Sequence, residues 1–117
     1  MISKLALIVR SPQIELLWWR ECPSWERALA MLREEMEAAG LDPDAVVVTE
    51  IDTEGDAERT DFPGSPTIRI DGLDFQPPGG DAPRGLTCRV YRRRDGRASP
   101  LPDPQDLREV LAKARDR

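Results

Sequence analysis

The chain contains no histidine among its 117 residues. Histidine is the commonest general base and a frequent metal ligand, so its absence excludes hydrolases that use a Ser-His or Cys-His pair. The two cysteines, Cys22 and Cys88, do not form a C-x-x-C spacing, which disfavours a zinc site built from cysteines and carboxylates. The sequence therefore predicts neither a metal site nor a cofactor.

Long apolar runs are also missing. No stretch of the sequence approaches the ~20 apolar residues that a transmembrane helix needs. The run from Leu5 to Val9 is too short for a secretory signal, so we expect a cytosolic protein with no membrane contact. The net charge is -5, and no basic stripe carries interleaved aromatic residues, so nucleic acid is not an expected partner.

What the sequence does contain is the size and patterning of one domain. We expect that domain over residues 14–117, with residues 1–13 as an N-terminal extension or an edge strand. The apolar run Leu5 to Val9 is costly to leave exposed, so we expect it to be covered, for example by a second copy of the chain in a homodimer.

The first half of this domain has the pattern of a strand, a helix and a strand. Residues Ile14 to Trp19 form a nearly continuous apolar run, which is typical of a strand buried on both faces. An amphipathic helix is predicted from Pro23 to Ala39, with Gly40 as its C-terminal stop. The β-branched run Ala45 to Asp52 predicts a second strand. These elements make a βαβ unit with parallel strands.

The second half contains a predicted hairpin between two helices. The polar segment Thr53 to Asp61 predicts a short helix. Asp71-Gly72 separates two short strand-like runs and predicts a tight hairpin turn. Residues 85–91 are too few to assign by periodicity, and we favour a helical turn. The last helix is predicted over Pro104 to Ala114.

Cys22 marks the point where the first strand passes into the first helix, in the sequence Cys22-Pro23-Ser24-Trp25. Free backbone N–H groups and the helix dipole favour negative charge at a helix N-terminus and lower a thiol pKa there. The sequence therefore predicts a nucleophilic thiolate at Cys22.

The order β-α-β-α-β-β-α, with a cysteine before the first helix and Ser65-Pro66-Thr67 entering the third strand, resembles the thioredoxin-like superfamily. The resemblance implies an α/β fold with a central four-stranded mixed sheet flanked by helices. It also implies that Cys22 is the catalytic nucleophile and that Pro66 is a cis-proline beside it. Ser65, Pro66 and Thr67 would then bind the substrate, with the backbone of Ser65 pairing with an extended substrate.

The fourth position of the motif departs from the dithiol pattern, because Trp25 stands where a resolving cysteine is expected. The indole of Trp25 can shield the Cys22 thiol or present it to a substrate. Cys88 is the one remaining thiol, and it is either a resolving partner of Cys22 or a buried apolar thiol. Trp18 and Trp19 lie on opposite faces of the first strand, so both belong to the core or one lines a groove beside Cys22.

A weaker resemblance is to small bacterial thioredoxin-like proteins grouped with alkylmercury lyase. It implies that Cys22 and Cys88 grip a soft metal while an acid such as Glu26 supplies a proton.

These observations lead to three hypotheses. The first is a thiol protein in which Cys22 exchanges with a thiol or disulfide substrate, such as glutathione or a client protein, and either Cys88 or an external thiol resolves the product. The second is a binding or scaffold protein that keeps the fold without redox chemistry. The third is handling of mercury or another soft metal by both cysteines.

Overall fold

The computed structural model describes residues 11–116. The expectations for residues 1–10, including the covered run Leu5 to Val9 and the homodimer contact, lie outside the described residues. Within that range the elements are listed here in chain order: β1 Ile14–Trp18, α1 Trp25–Ala38, a 3-10 turn Pro43–Ala45, β2 Val47–Glu50, α2 Glu54–Arg59, β3 Thr67–Ile70, β4 Leu73–Asp74, β5 Tyr91–Arg92, β6 Ala98–Ser99 and α3 Pro104–Arg115.

The main sheet has four strands in the order β2-β1-β3-β4. β1 runs parallel to β2, with Leu16 opposite Val48, and antiparallel to β3, with Leu16 opposite Ile68. β4 is antiparallel to β3. The predicted α/β class with a mixed four-stranded sheet flanked by helices is confirmed at this level. A separate two-stranded ribbon of β5 and β6 was not predicted.

The alternation of side chains along β1 sends apolar groups to both faces of the sheet. On one face Leu16 joins the larger core cluster, which also contains Leu32 of α1 and Leu111 of α3. On the other face Leu17 packs in a smaller cluster that contains Phe62. Because a fully buried side chain of this size contributes roughly 1.5–3 kcal/mol, these two layers hold β1 at the centre of the domain.

Helix boundaries depart from the prediction at one important place. The first helix begins at Trp25 and not at Pro23, and Ser24 is its N-cap. A residue that precedes proline is disfavoured from helical conformation, so Cys22 cannot extend the helix backwards. Cys22 therefore lies two residues before the N-cap, whereas the prediction placed it directly before the first residue of the helix.

The predicted second strand is shorter in the structure, because its first residue belongs to a 3-10 turn. The expected start at Ala45 is wrong, because Asp42 accepts a hydrogen bond from the backbone N–H of Asp44 and starts a 3-10 turn through Ala45. The strand proper is Val47–Glu50. The short helix Glu54–Arg59 lies within the segment predicted for it, and Thr53 is its N-cap.

The predicted hairpin is confirmed, with Asp71 at φ 53° and Gly72 at φ 81° in its turn. Positive φ at both central residues is the requirement of a type I′ turn, which suits the twist of the flanking strands. The helical turn favoured for residues 85–91 is wrong. Gly85 has φ 126°, Cys88 forms an isolated parallel bridge with Ser65, and Tyr91 begins β5.

The last helix closes the larger core and is tied to α1 by charge. Arg108 of α3 donates to the carboxylate of Glu35 in α1, with 2.6 Å between Nε and Oε1, and Glu35 is buried. Among residues 11–116 no helix has the length and apolar character to cross a bilayer.

Candidate functional site

Cys22 sits in the turn that joins β1 to α1. Its backbone N–H donates to the carbonyl oxygen of Trp19 at 2.9 Å, which closes the turn. Its thiol lies 3.5 Å from the carbonyl oxygen of Ser65, within hydrogen-bond reach for sulfur, and the residue is only 4% exposed. The thiol is therefore fixed against the loop that enters β3, as the resemblance implied for the nucleophile.

The loop before β3 is buried and saturated with hydrogen bonds. The Ser65–Pro66 peptide bond is cis, as predicted. The hydroxyl of Ser65 accepts from the backbone N–H of Trp19 at 3.0 Å, and the hydroxyl of Thr67 donates to the carbonyl of Gly64 at 2.6 Å. Ser65, Pro66 and Thr67, which were predicted to bind substrate, are all buried.

Cys88 is exposed, so the alternative of a buried apolar thiol is wrong. It lies opposite Ser65 in an isolated parallel β-bridge. The two bonds of that bridge run from the N–H of Ser65 to the carbonyl of Thr87 and from the N–H of Arg89 to the carbonyl of Ser65, each 2.8 Å long. The structure thus brings both cysteines to one residue, Ser65, and both sulfurs are free thiols.

Arg89 is a residue of this site that the sequence did not reveal. It is 5% exposed, and its guanidinium makes a two-pronged ion pair with Asp74, with 2.6 Å between Nη1 and Oδ2. It also donates to the Thr67 hydroxyl and to the carbonyl of Gln76. Its Nε–H has no hydrogen-bond partner among the described residues. The sequence pattern available at Arg89 was the alternation of Leu86, Cys88 and Val90 around it. This pattern does not show whether the arginine is buried or exposed.

Tyr91 completes the buried polar network below the loop. Its hydroxyl donates to the carbonyl of Pro66 at 2.6 Å, and its ring lies under the guanidinium of Arg89, with 4.4 Å from Cζ to the ring centroid. Burial raises the pKa of the Tyr91 hydroxyl well above its ordinary value. Tyr91 is therefore a neutral hydrogen-bond donor over the whole working pH range.

The tryptophans of the site are divided between the two faces of the sheet. The rings of Trp18 and Trp25 are stacked, with centroids 3.9 Å apart, against the larger core. Trp19 packs on the smaller cluster of the other face. One face of the Trp25 ring is therefore covered by the ring of Trp18.

The acid named for metal chemistry, Glu26, is exposed in the first turn of α1. Among the residues that the structure describes, no three Cys, Asp or Glu side chains are grouped so that they could hold a metal ion.

No protein-family model matches the chain, and neither a curated protein nor a solved structure matches it. The arguments below therefore rest on the geometry of this chain.

Proposed function

We propose that this chain is a thioredoxin-like thiol protein that exchanges with disulfides through Cys22 and Cys88. The observation that carries the proposal is their common neighbour. The Cys22 thiol is 3.5 Å from the carbonyl oxygen of Ser65, and Cys88 is the bridge partner of the same residue. In the reducing cytosol expected for this chain, both free thiols stay reduced until an oxidised substrate arrives.

The proposed reaction has two exchange steps. The Cys22 thiolate attacks one sulfur of a disulfide, a bond forms between Cys22 and that sulfur, and the other half of the substrate leaves as a thiolate that takes up a proton. The Cys88 thiolate then attacks the Cys22 sulfur, and the second half of the substrate leaves. The protein loses two electrons and gains a Cys22–Cys88 disulfide, while the substrate becomes two thiols. An excess of a low-molecular-weight thiol reverses both steps.

The test is oxidation of the reduced protein by glutathione disulfide, with acid quenching and peptide mass spectrometry. We expect a Cys22–Cys88 disulfide in the parent protein. In Cys88→Ser, resolution is removed, and a glutathione adduct should accumulate on Cys22. In Cys22→Ser, the internal disulfide cannot form, and the difference between the two variants assigns the roles.

A binding protein without redox chemistry is the second candidate, and the near-complete burial of Cys22 favours it. That candidate predicts that both thiols survive the oxidation and that Cys22→Ser leaves the fold unchanged. A parent protein that keeps both thiols after prolonged exposure to glutathione disulfide would overturn the exchange proposal. Stoichiometric mercury binding that needs both cysteines would point to metal handling.

A further inference from the structure

Residues 85–90 are called the Cys88 segment below. They occupy the backbone N–H and C=O groups of Ser65 by hydrogen bonding. A polypeptide that adds as a strand needs a free N–H and a free C=O on the residue that receives it. At Ser65 the N–H is bonded to Thr87, and the carbonyl accepts from Arg89 and from the Cys22 thiol. The hydroxyl is occupied as well, by the N–H of Trp19. Ser65 has no free N–H to offer a substrate strand.

The Cys88 segment is anchored at both of its ends. At the first end the N–H of Gly85 donates to the carbonyl of Phe62 at 2.9 Å. At the other end Arg89 is buried and holds Asp74. Gly64 lies so close that a Cβ there would be 3.2 Å from the backbone N and Cα of Arg89. Displacing the segment would break three backbone hydrogen bonds and expose a buried ion pair, so a peptide substrate cannot easily replace it.

We infer that the substrate of the proposed exchange is a low-molecular-weight disulfide and not an extended polypeptide, because the Cys88 segment already occupies the edge that a polypeptide would need. This inference rests on the proposed function. A small disulfide must bring only one sulfur to the Cys22 thiol, and it needs no strand pairing with Ser65. The low exposure of Cys22 also favours a slender reactant over a folded client.

The experiment compares two substrates that differ only in size. The reduced full-length protein is mixed with glutathione disulfide or with the disulfide-linked dimer of an unstructured ten-residue peptide that contains one cysteine, and the loss of the protein thiols is followed. We expect the second-order rate to be at least about tenfold lower for the peptide, which is a barrier difference of about 1.4 kcal/mol. Equal rates would overturn the inference while leaving the proposed function intact. No reaction with either substrate would overturn both.

A pair of glycine variants tests whether the Cys88 segment causes the lower rate with the peptide substrate. Gly64→Ala places a methyl group against the Arg89 backbone and should loosen the segment, so the rate with the peptide should rise several-fold relative to the rate with glutathione disulfide. Gly72→Ala is the matched control, because it also has positive φ but no atom within 4 Å of the added methyl. If both variants leave the ratio of rates unchanged, the segment does not select the substrate. If Gly64→Ala does not fold, the two-substrate comparison on the parent protein still decides.

Discussion

The sulfur atom of Cys22 lies 3.5 Å from the carbonyl oxygen of Ser65, and the same oxygen accepts the backbone N–H of Arg89 at 2.8 Å. One carbonyl thus joins the turn after β1 to the segment that carries Cys88.

The Ser65 hydroxyl should contribute to stability through Trp19. In Ser65→Ala the backbone N–H of Trp19 loses its acceptor, and we expect the free energy of unfolding to fall by about 1–2 kcal/mol in urea titrations. Ser24→Ala is the control, because the Ser24 side chain makes no capping hydrogen bond. The control should stay within about 0.5 kcal/mol of the parent. Equal losses in both variants would show that the Trp19 contact contributes nothing.

Arg89 and Asp74 should be strongly coupled. Arg89→Met leaves the carboxylate of Asp74 without its cation in a mostly buried place, and we expect a loss of about 3–5 kcal/mol in the free energy of unfolding. The double variant Arg89→Met with Asp74→Leu should recover a large part of that loss, because no unpaired charge remains. Denaturant titration of the full double-mutant cycle measures the coupling energy.

Arg97→Met provides the control for this cycle, because the Arg97 side chain is 83% exposed and its partner Asp95 lies 3.6 Å away. We expect this control to change stability by less than about 0.5 kcal/mol. Additive effects of the Arg89 and Asp74 substitutions would contradict the coupling.

Asp103 should make stability depend on pH. Its side chain caps α3 by accepting from the N–H groups of Gln105 and Asp106, and it also accepts from the N–H of Arg94. These bonds, led by the one from Arg94, hold the pKa of the carboxyl below its ordinary value of 3.8. A depressed pKa in the folded state means that this stabilisation is present above about pH 4 and is lost as the pH falls through the folded-state pKa.

The measurement for Asp103 is the free energy of unfolding of the parent, Asp103→Asn and Asp103→Ala at pH 7 and near pH 3. At pH 7 we expect Asp103→Ala to lose about 1–2 kcal/mol, as for other N-caps. The difference in the free energy of unfolding between the parent and Asp103→Asn should be smaller at the lower pH. Protonation of Asp103 then removes its negative charge, and asparagine carries no charge at either pH. A difference that does not change with pH would exclude a charged cap.

The stacked pair of Trp18 and Trp25 should be visible in near-ultraviolet circular dichroism. Trp25→Phe removes the indole pair, so the coupled signal should vanish and stability should fall by about 1 kcal/mol. Trp19→Phe should retain the signal, because Trp19 lies on the other face of the sheet. The rate of Cys22 alkylation should be unchanged in Trp25→Phe. A clearly faster alkylation of Cys22 in this variant would show that Trp25 shields the thiol.

The sheet and its helices were predictable because their signals are local. The apolar run of β1, the amphipathic spacing of α1 and the Asp71-Gly72 turn each depend on neighbours in sequence, and all three elements are present. The start of α1 was misplaced by two residues, because Pro23 suits a first helical turn but the helix begins only after Ser24. Cys22 therefore lies two residues before the N-cap.

The Cys88 segment could not be predicted because its structure depends on distant partners. The segment is held along Ser65 by backbone hydrogen bonds, and the burial of Arg89 depends on Asp74, neither of which is a near neighbour of the segment in sequence. Sequence reasoning placed Cys22, Ser65 and Pro66 together through a family resemblance. It named Cys88 as a partner without being able to say that both cysteines contact Ser65, Cys22 through its thiol and Cys88 through a backbone bridge.

The hydrogen bonds of Ser65 make three remote stretches of chain one cooperative opening unit. The amides of Trp19 and Arg89 donate to Ser65 and the amide of Ser65 donates to Thr87, so a displacement of Ser65 releases all three amides together. In native-state hydrogen exchange these three amides should therefore share one protection free energy, distinct from that of the termini. Any motion that bares the Cys22 sulfur by moving Ser65 would also release the Cys88 segment, so access to the first thiol and mobility of the second rise and fall together.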